Sequence, residues 1–258
     1  MSDESRPSPA EMPAGTRANT RTAAVIPAAG RGVRLGPGAP KALRALGGTP
    51  MLIHAVRAMA ASRAVSLVVV VAPPDGAAEV KSLLDAHALP ERTDFLVVPG
   101  GESRQESVRL GLDALPTDYE TVLVHDAARP LVPVDTVDAV IEAVREGAPA
   151  VVPAVPLADT VKQVEPAAVP GEPEPVVATP ERARLRAVQT PQGFDRGTLV
   201  RAHETVTGDV TDDASMVEQL GLTVMVVPGH EEAFKVTRPL DLVLAEAVLA
   251  RRRLNDGF

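Results

Sequence analysis

The sequence predicts an α/β fold in which a doubly wound, mostly parallel sheet is covered by helices on both faces. Two observations support this prediction. From residue 23 onward, apolar strand patterns alternate with helical patterns, as in proteins built from successive β-α-β units. Aromatic residues make up only 2% of a chain that is 45% hydrophobic. Aliphatic side chains must therefore fill the core, as they do in sheets that are buried on both faces.

The first half of the chain contains four predicted strand–helix pairs. Thr49 is placed to cap the first helix, with Pro50 in its first turn. Ser103 and Glu106 form an S-x-x-E capping box at the start of the third helix. The strands are predicted at 23–29, 66–73, 94–100 and 121–130, and the helices at 49–62, 77–87, 103–115 and 134–146.

In the second half of the chain, the alternation of strands and helices is interrupted and then resumes. A strand begins at 149, but residues 160–190 are rich in proline and have no helical period. We interpret this stretch as a protruding β-arm at about 160–188, with its tip at 165–175. Helices at 195–206, 212–221 and 238–253 follow, with a strand at 222–229. Residues 1–21 are predicted to be a disordered tail, and residues 22–254 a single domain.

Composition excludes several classes of protein. The net charge of −8 argues against general nucleic-acid binding, which needs a basic face. The chain has no cysteine, so it has no disulfide and no thiolate metal site. No apolar run reaches the about 18 residues of a membrane span, and the N-terminus lacks the apolar stretch of a secretory signal. We therefore expect a cytoplasmic protein without nucleic-acid or membrane partners.

A glycine-rich loop follows the first predicted strand, and its backbone N–H groups could approach a phosphate. Gly30, Gly32 and Gly36 resemble a dinucleotide-binding loop, but that fold needs an acidic residue at the end of the second strand. Here the second strand ends in VVVVAPP, with nothing acidic before Asp75. No G-K-[ST] closes the loop, so it is not a P-loop. On this pattern alone, a second interpretation stays open, in which the loop only connects two elements and binds no ligand.

Two cationic residues, Arg34 and Lys41, shift the balance toward a phosphate ligand. They lie on a loop whose course is restricted by prolines and glycines. A cationic loop of this kind can neutralise a nucleoside triphosphate by closing over it. The pattern therefore favours a triphosphate site over a dinucleotide-dependent dehydrogenase.

The motifs make the chain resemble a known family. PAAGRGVRLGPGAPKAL (27–43) resembles the signature loop of sugar-phosphate nucleotidyltransferases. The order and approximate spacing of the further motifs are similar to those of the 2-C-methyl-D-erythritol 4-phosphate cytidylyltransferase family, over roughly residues 22–250. These motifs are GGESRQESVRLGL (100–112), HDAARP (125–130), DTVK (159–162), QTPQGF (189–194), TDDAS (211–215) and KVTRPLDL (235–242).

This resemblance implies a fold, a reaction and partners. The fold would be a Rossmann-like sheet of the nucleotide-diphospho-sugar transferase type. The reaction would join CTP to 2-C-methyl-D-erythritol 4-phosphate, with Mg²⁺ or a similar divalent cation, in non-mevalonate isoprenoid precursor synthesis. The enzyme would be a homodimer that pairs through the β-arm. A relative that uses another alditol phosphate, such as ribitol 5-phosphate, stays open as an alternative. A non-catalytic relative is disfavoured, because Arg34 and Lys41 are both present.

The resemblance also implies roles for individual residues. The catalytic residues would be Arg34, Lys41 and Lys235. CTP would be bound by Pro27, Ala28, Ala29, Gly30, Gly32, Gly101, Glu102, Arg104, Ser107 and Ala127. The sugar phosphate would be bound by Asp126, Arg129, Thr160, Arg182, Thr190 and Thr211, with Asp126 also facing the metal. Arg182 would reach the site of the neighbouring subunit.

Three residues near these motifs have simpler explanations. Ser103 is sufficiently explained as a helix cap. His125 is expected to be structural. From the residues alone, Asp126 could cap a turn with Arg129 paired to it, although the end of an α/β strand is where such sheets bind ligands.

Overall fold

A central eight-stranded sheet runs through the computed structural model, which describes residues 20–30, 40–208 and 210–255. The strands are β1 (Arg21–Pro27), β2 (Ala45–Leu46), β3 (Thr49–Pro50), β4 (Val65–Ala72), β5 (Asp94–Pro99), β6 (Tyr119–Val124), β7 (Ala150–Pro156), β8 (Gln163–Val164), β9 (Val176–Ala178), β10 (Arg186–Val188), β11 (Gln192–Asp195) and β12 (Val224–Pro228). The helices are α1 (Met51–Ala61), α2 (Ala77–Asp85), α3 (Arg104–Asp113), α4 (Val134–Arg145), α5 (Arg196–Thr205), α6 (Asp213–Gln219) and α7 (Pro239–Asn255).

The middle of the sheet is parallel. β1 pairs with β4 on one side and β6 on the other, and β4 pairs with β5, all in parallel. β11 is antiparallel to both β6 and β7. β10 is antiparallel to the end of β7, while β12 pairs in parallel with β7. The carboxyl ends of β1, β4, β5 and β6 therefore lie along the same edge of the sheet.

Two apolar cores lie on opposite faces of this sheet. Successive residues of β1 belong to different cores: Ala24 and Ile26 pack on the face of α1, α2 and α4, and Ala23 and Val25 pack on the face of α3, α5 and α6. This alternation follows from the two-residue period of a strand. The two-sided burial explains why the strands read as aliphatic runs, and it confirms the predicted α/β fold class.

Most predicted elements are confirmed to within a few residues, but two bounds are wrong. The strand predicted at 121–130 ends at Val124, because residues 125–130 turn away from the sheet. The start predicted for α1 is also wrong. Thr49 makes no helix cap. It pairs with Leu46 in a two-residue hairpin, and α1 begins only at Met51 after an N-cap Pro50 without a side-chain cap bond. The reason is the turn between the two strands, where Gly47 and Gly48 both adopt positive φ angles. That turn places Thr49 in a strand.

One of the two hydrogen bonds of the predicted α3 capping box is present, and the other has a different partner. The Ser103 hydroxyl accepts a hydrogen bond from the Glu106 N–H at 3.0 Å, as expected. The Glu106 carboxylate, however, accepts from the N–H of Glu102 at 2.8 Å rather than from that of Ser103. This bond reaches one residue further back and orders the segment before the helix.

Helix α3 packs very closely against the sheet at Gly111. A Cβ added there would lie 2.5 Å from Val25 Cγ1 and 2.8 Å from Val71 Cγ2. Gly111→Ala is therefore expected to lower the free energy of unfolding by about 1–3 kcal/mol, because the core would be overpacked. Urea denaturation measures this change.

Gly197 in α5 is the matched control. It is exposed, and its added Cβ would meet only Asp195 Oδ1 at 3.4 Å. Gly197→Ala should therefore be neutral or stabilise the protein by up to about 1 kcal/mol, through helix propensity. Equal effects of the two substitutions would contradict the close packing of α3.

The β-arm leaves the main sheet after β7. β8 and β9 form a small antiparallel hairpin, and β10 then returns to the main sheet. Val164, Val176 and Val177 are exposed on this hairpin, the last two by more than half (56% and 55%). Across the described parts of the chain, no helix is long and apolar enough to cross a membrane.

Candidate active site

A cavity of about 220 Å³ opens at the carboxyl ends of β1, β5 and β6. Open α/β sheets bind their ligands at this edge. Three chain segments and one separate lysine form the walls. The lining residues are Pro27, Ala28, Ala29, Gly30, Lys41, Ala42, Gly101, Glu102, Ser103, Arg104, Ser107, Asp126, Ala127, Ala128 and Lys235.

The first wall comes from the end of β1 and the start of the loop that follows. The N–H of Ala28 donates to the Val71 carbonyl at 2.8 Å, which extends the parallel pairing one residue past β1. Lys41 begins a short 3₁₀ turn on the far side of the loop and lines the cavity. Gly32 and Arg34 lie outside the described residues, so their predicted roles stay predictions.

The second wall is the segment between β5 and α3. The Gly101 N–H donates to the Ser107 hydroxyl at 3.2 Å, and Ser107 itself is buried. A Cβ on Gly101 would lie within about 2.3 Å of the Glu106 side chain. Only glycine fits there while Glu106 holds the backbone of Glu102. Backbone groups in this wall can approach a flat ligand closely.

The third wall contains a carboxylate surrounded by cations. Asp126 follows β6, and its Oδ2 lies 2.7 Å from Lys235 Nζ and 4.0 Å from Arg129 Nε. Its Oδ1 lies 3.6 Å from Arg104 Nε. The Asp126 side chain is only 13% exposed. One carboxylate at the floor of the cavity therefore lies within 4.0 Å of three cationic side chains.

These cations decide the charge of Asp126. Burial alone would raise the pKa of its carboxyl, but Lys235, Arg104 and Arg129 outweigh burial and lower the pKa to about 2. Asp126 is therefore ionised at neutral pH. Arg104 also pairs with Asp213 behind the cavity, so the three cations face two buried carboxylates and the cluster keeps one excess positive charge, in a chain whose net charge is −8.

The loop that carries Lys235 is held in place by a hydrogen bond and by ion pairs to other segments of the chain. The Val236 N–H donates to the Ala128 carbonyl at 2.8 Å, next to Asp126. Glu232, just before the loop, forms ion pairs with Arg251 and Arg252 of α7. The first bond joins residues about a hundred positions apart in the sequence, and the ion pairs join the loop to α7 about twenty positions later. Together they bring the Lys235 ammonium to the cavity.

Arg129, Thr190 and His125 support Asp126 from behind. Arg129 donates to the carbonyls of Ala233 and Val188 at 2.7 and 3.2 Å. The Thr190 hydroxyl accepts from the Asp126 N–H at 3.0 Å and contacts His125 Nδ1 at 3.0 Å. The other ring nitrogen of His125 lies 3.1 Å from the Arg129 carbonyl oxygen. His125 is fully buried, which fits a structural role.

Burial of His125 gives the protein a pH-dependent stability. Burial lowers the pKa of His125 from 6.5 to about 4, although Asp126 opposes this change. The unfolded chain takes up the proton near pH 6.5, while the folded protein takes it up only near pH 4. The contribution of His125 is thus fully present above pH 6.5 and is lost as the pH falls toward 4. We expect the loss to total about 3 kcal/mol, at about 1.4 kcal/mol per pH unit.

Urea denaturation at several pH values between 7 and 5 measures this slope. In His125→Asn the side-chain amide does not titrate, so its free energy of unfolding should fall less steeply with acid than that of the unmodified protein. Identical slopes would show that the acid sensitivity comes from other groups.

The structure brings together most of the predicted site residues. All the described residues predicted to bind CTP line the cavity, as do Lys41, Asp126 and Lys235. Arg129 and Thr190 lie directly behind Asp126. Thr160, Arg182 and Thr211 are exposed and do not line the cavity. Arg182, near the base of the β-arm, donates to the Ala158 carbonyl.

Sequence reasoning missed several residues of this site. Ala42 and Ala128 line the cavity, and Ser103 does so in addition to capping α3. The buried Asp213 holds Arg104 from outside the cavity, with its Oδ2 at 2.7 Å from Arg104 Nη1. The signal in the sequence for Asp213 is the TDDAS motif, in which the family resemblance implies a role for Thr211.

The fold and the site together define a nucleotidyltransferase. A glycine-containing segment after the first strand, a wall of closely approaching backbone and a cationic floor meet at the ligand-binding edge of a doubly wound sheet. Such a site suits a nucleotide and a second anionic substrate.

Comparison with known proteins identifies the family. The sequence profile of 2-C-methyl-D-erythritol 4-phosphate cytidylyltransferase matches residues 22–251. The chain belongs to this family. It is 89% identical to the 2-C-methyl-D-erythritol 4-phosphate cytidylyltransferase of Streptomyces coelicolor, over the whole of both chains.

Two solved structures have similar folds. The 4-diphosphocytidyl-2C-methyl-D-erythritol synthase of Anaerococcus prevotii superimposes with a TM-score of 0.75 at 28% identity, covering 90% of this chain and 99% of that one. The 2-C-methyl-D-erythritol 4-phosphate cytidylyltransferase of Thermus thermophilus superimposes with a TM-score of 0.67 at 35% identity, covering 87% and 97%.

Proposed function

We propose that this chain transfers the cytidylyl group of CTP to 2-C-methyl-D-erythritol 4-phosphate in non-mevalonate isoprenoid precursor synthesis. The products are 4-diphosphocytidyl-2-C-methyl-D-erythritol and pyrophosphate. The observation that supports this most strongly is the placement of Asp126, Lys235 and Lys41 in one cavity with the Gly101 wall. The family match points to the same reaction and gives no support to ribitol 5-phosphate.

The chemistry needs cations more than it needs a base. A phosphate oxygen of the sugar phosphate forms a bond to the α-phosphorus of CTP. The bond from that phosphorus to the bridging oxygen breaks, and pyrophosphate leaves with the electron pair. The attacking oxygen is already anionic, so no proton must be removed from it. The main barrier is the repulsion between two polyanions, and cations placed around the reacting phosphates lower it.

The cationic side chains would divide this task between the two substrates. Lys41, at the glycine-containing wall, would stabilise the α-phosphate and the departing pyrophosphate, together with Arg34. Lys235 lies 2.7 Å from Asp126, and Arg129 is fastened beside them, so both would hold the incoming phosphate in line. The Gly101 wall, with Ser107 behind it, would bind the cytosine and ribose.

The donor set of the cavity fits Mg²⁺. This ion binds one or two carboxylates together with substrate phosphates, and it keeps several of its waters. Asp126 supplies one ionised carboxylate at the cavity floor. Within residues 20–30, 40–208 and 210–255, no group of three or more His, Asp or Glu side chains could hold a metal by itself. Asp126 would hold Mg²⁺ with the triphosphate of CTP, and the ion would supply charge neutralisation there.

The β-arm is proposed to form a homodimer. An isolated hairpin is marginally stable in water, and Val164, Val176 and Val177 are exposed on this one. A second arm would cover these valines in a symmetric contact. Thr160 and Arg182 lie near the base of the arm, outside the cavity, so the dimer would bring them to the neighbouring sugar-phosphate site. Sedimentation as a monomer at micromolar concentration would contradict this proposal.

Pyrophosphate release tests the proposed reaction. CTP, UTP, ATP and GTP are each incubated with methylerythritol phosphate and with ribitol 5-phosphate, in Mg²⁺ and in excess chelator. We expect release only from CTP with methylerythritol phosphate and Mg²⁺. Equal release with the chelator would contradict the metal requirement, and a preference for ribitol 5-phosphate would contradict the substrate. The single domain of residues 22–254, its β-arm at about 160–188 and a cytoplasmic location stay predictions.

A further inference from the structure

We propose that Asp213, held by His203, is a positioning residue that orients the guanidinium group of Arg104 in the cavity. The proposal rests on the proposed function, because it takes Arg104 as part of the CTP site. Asp213 and His203 lie on α6 and α5, outside the cavity lining.

Asp213 uses its two oxygens for two different partners. Its Oδ2 accepts a hydrogen bond from Arg104 Nη1 at 2.7 Å. Its Oδ1 lies 3.1 Å from His203 Nε2. The side chains of Asp213 and His203 are only 1% and 2% exposed. A buried carboxylate with a partner on each oxygen cannot rotate without losing one of them, so its position is fixed.

Arg104 lies between two carboxylates at unequal distances. Asp213 contacts Nη1 at 2.7 Å, while Asp126 lies 3.6 Å from Nε. The Arg104 side chain is 36% exposed and lines the cavity. The shorter contact with Asp213 anchors one end of the planar guanidinium, and the remainder of the group stays at the cavity wall. Guanidinium groups depend on this kind of directional anchoring.

The contact between Asp213 and Arg104 also keeps the guanidinium from forming a closer ion pair with Asp126. If Asp213 lost its charge, Asp126 would be the one carboxylate left within 4.0 Å of the guanidinium among the described residues, and the guanidinium would move toward it. Asp126 would then be shared more equally between Arg104 and Lys235, which lies 2.7 Å from it. The network therefore keeps Arg104 at the nucleotide wall and leaves Asp126 to Lys235.

A double-mutant cycle in kcat/KM for CTP tests the proposal. Asp213→Asn keeps the shape of the side chain and removes its charge, and we expect kcat/KM to fall about tenfold. Arg104→Met should lower it at least as much. In the Arg104→Met background, Asp213→Asn should change kcat/KM by less than about twofold, because a residue that acts through Arg104 has no effect without it. Independent effects that multiply in the double variant would overturn the proposal.

His203 supplies a second test and a rescue. His203→Leu should lower kcat/KM for CTP, whereas His203→Gln, whose amide nitrogen can take the place of Nε2, should restore most of it. Leu199→Ala is the control, since Leu199 is buried on the same helix and belongs to the apolar core. If Leu199→Ala lowers the melting temperature as much as His203→Leu and lowers kcat/KM equally, the role of His203 is structural only and the proposal fails.

Direct binding separates this proposal from the proposed function. Calorimetric titration with CTP measures the CTP affinity of each variant, so the double-mutant cycle can be repeated without any catalytic turnover. An unmodified protein that binds CTP but forms no pyrophosphate would contradict the proposed function. A cycle in CTP affinity that couples Asp213 to Arg104 would still support the positioning role, and an uncoupled cycle would overturn it.

Discussion

Lys41→Ala is expected to lower kcat about 10²–10³-fold, because it removes a cation that stabilises the reacting phosphates. Lys41 lines the cavity from a short 3₁₀ turn at its rim and does not belong to the apolar cores. The circular dichroism spectrum and the melting temperature should therefore change little. Steady-state pyrophosphate release measures the effect on kcat.

Lys81→Ala is the matched control for this substitution. Lys81 lies on α2, its side chain is 67% exposed, and it pairs with Asp85 on the same helix surface. Its removal should leave kcat unchanged and alter stability by less than about 1 kcal/mol. A Lys41→Ala variant that unfolds, or that retains full kcat, would contradict the role proposed for Lys41. Arg34→Ala should behave like Lys41→Ala if both cations act on the same phosphates.

Asp126→Asn is expected to reduce kcat by about 10²–10³-fold and to raise the Mg²⁺ concentration needed for half-maximal activity. The substitution removes the one charge that Lys235, Arg104 and Arg129 share. The loss of this charge would destabilise Arg129 most, because its side chain is only 12% exposed and its Nε has no hydrogen-bond partner within the described structure. A loss of about 3 kcal/mol in the free energy of unfolding should accompany the loss of activity.

The control for Asp126→Asn is Asp113→Asn. Asp113 is 63% exposed and pairs with Arg109 one turn away on α3, at 3.6 Å. An exposed ion pair of this kind contributes little to the free energy of unfolding. Activity and stability should therefore both be nearly unchanged. If Asp126→Asn kept its dependence on Mg²⁺ concentration unchanged, Asp126 would not contact the metal. If it also kept its kcat, the cluster would serve the fold alone.

The sheet and its helices could be predicted because their signals are local. The aliphatic run of β4 and the apolar faces of α1 and α4 are each readable in a dozen residues, and burial on both sides of the sheet explains them. The start of α1 could not be read in this way. The hairpin at Gly47 and Gly48 places Thr49 in a strand, and helix-cap patterns contain no information about that alternative.

The site was only partly predictable, for a related reason. Motif resemblance identified Asp126, Lys235 and Arg104 separately, but their distances depend on contacts between distant segments. The bond from Val236 to Ala128 and the ion pairs of Glu232 with α7 set the position of Lys235. Asp213 lies in the TDDAS motif, but the motif alone does not reveal its two partners, which lie on α3 and α5.

The pairing of β7 has a consequence for synthesis on the ribosome. Its partners β10, β11 and β12 all follow it in the sequence, so this apolar strand is translated before any of them. About 70 residues separate the end of β7 from the end of β12, which corresponds to roughly 4–14 s of translation. Both edges of the nascent strand are open to other chains until β10 and β11 have been made, about 40 residues after the end of β7. The edge that pairs with β12 stays open for the whole interval. Pro153 and Pro156 lie within it and lack N–H donors, which makes the exposed strand a poor template for aggregation.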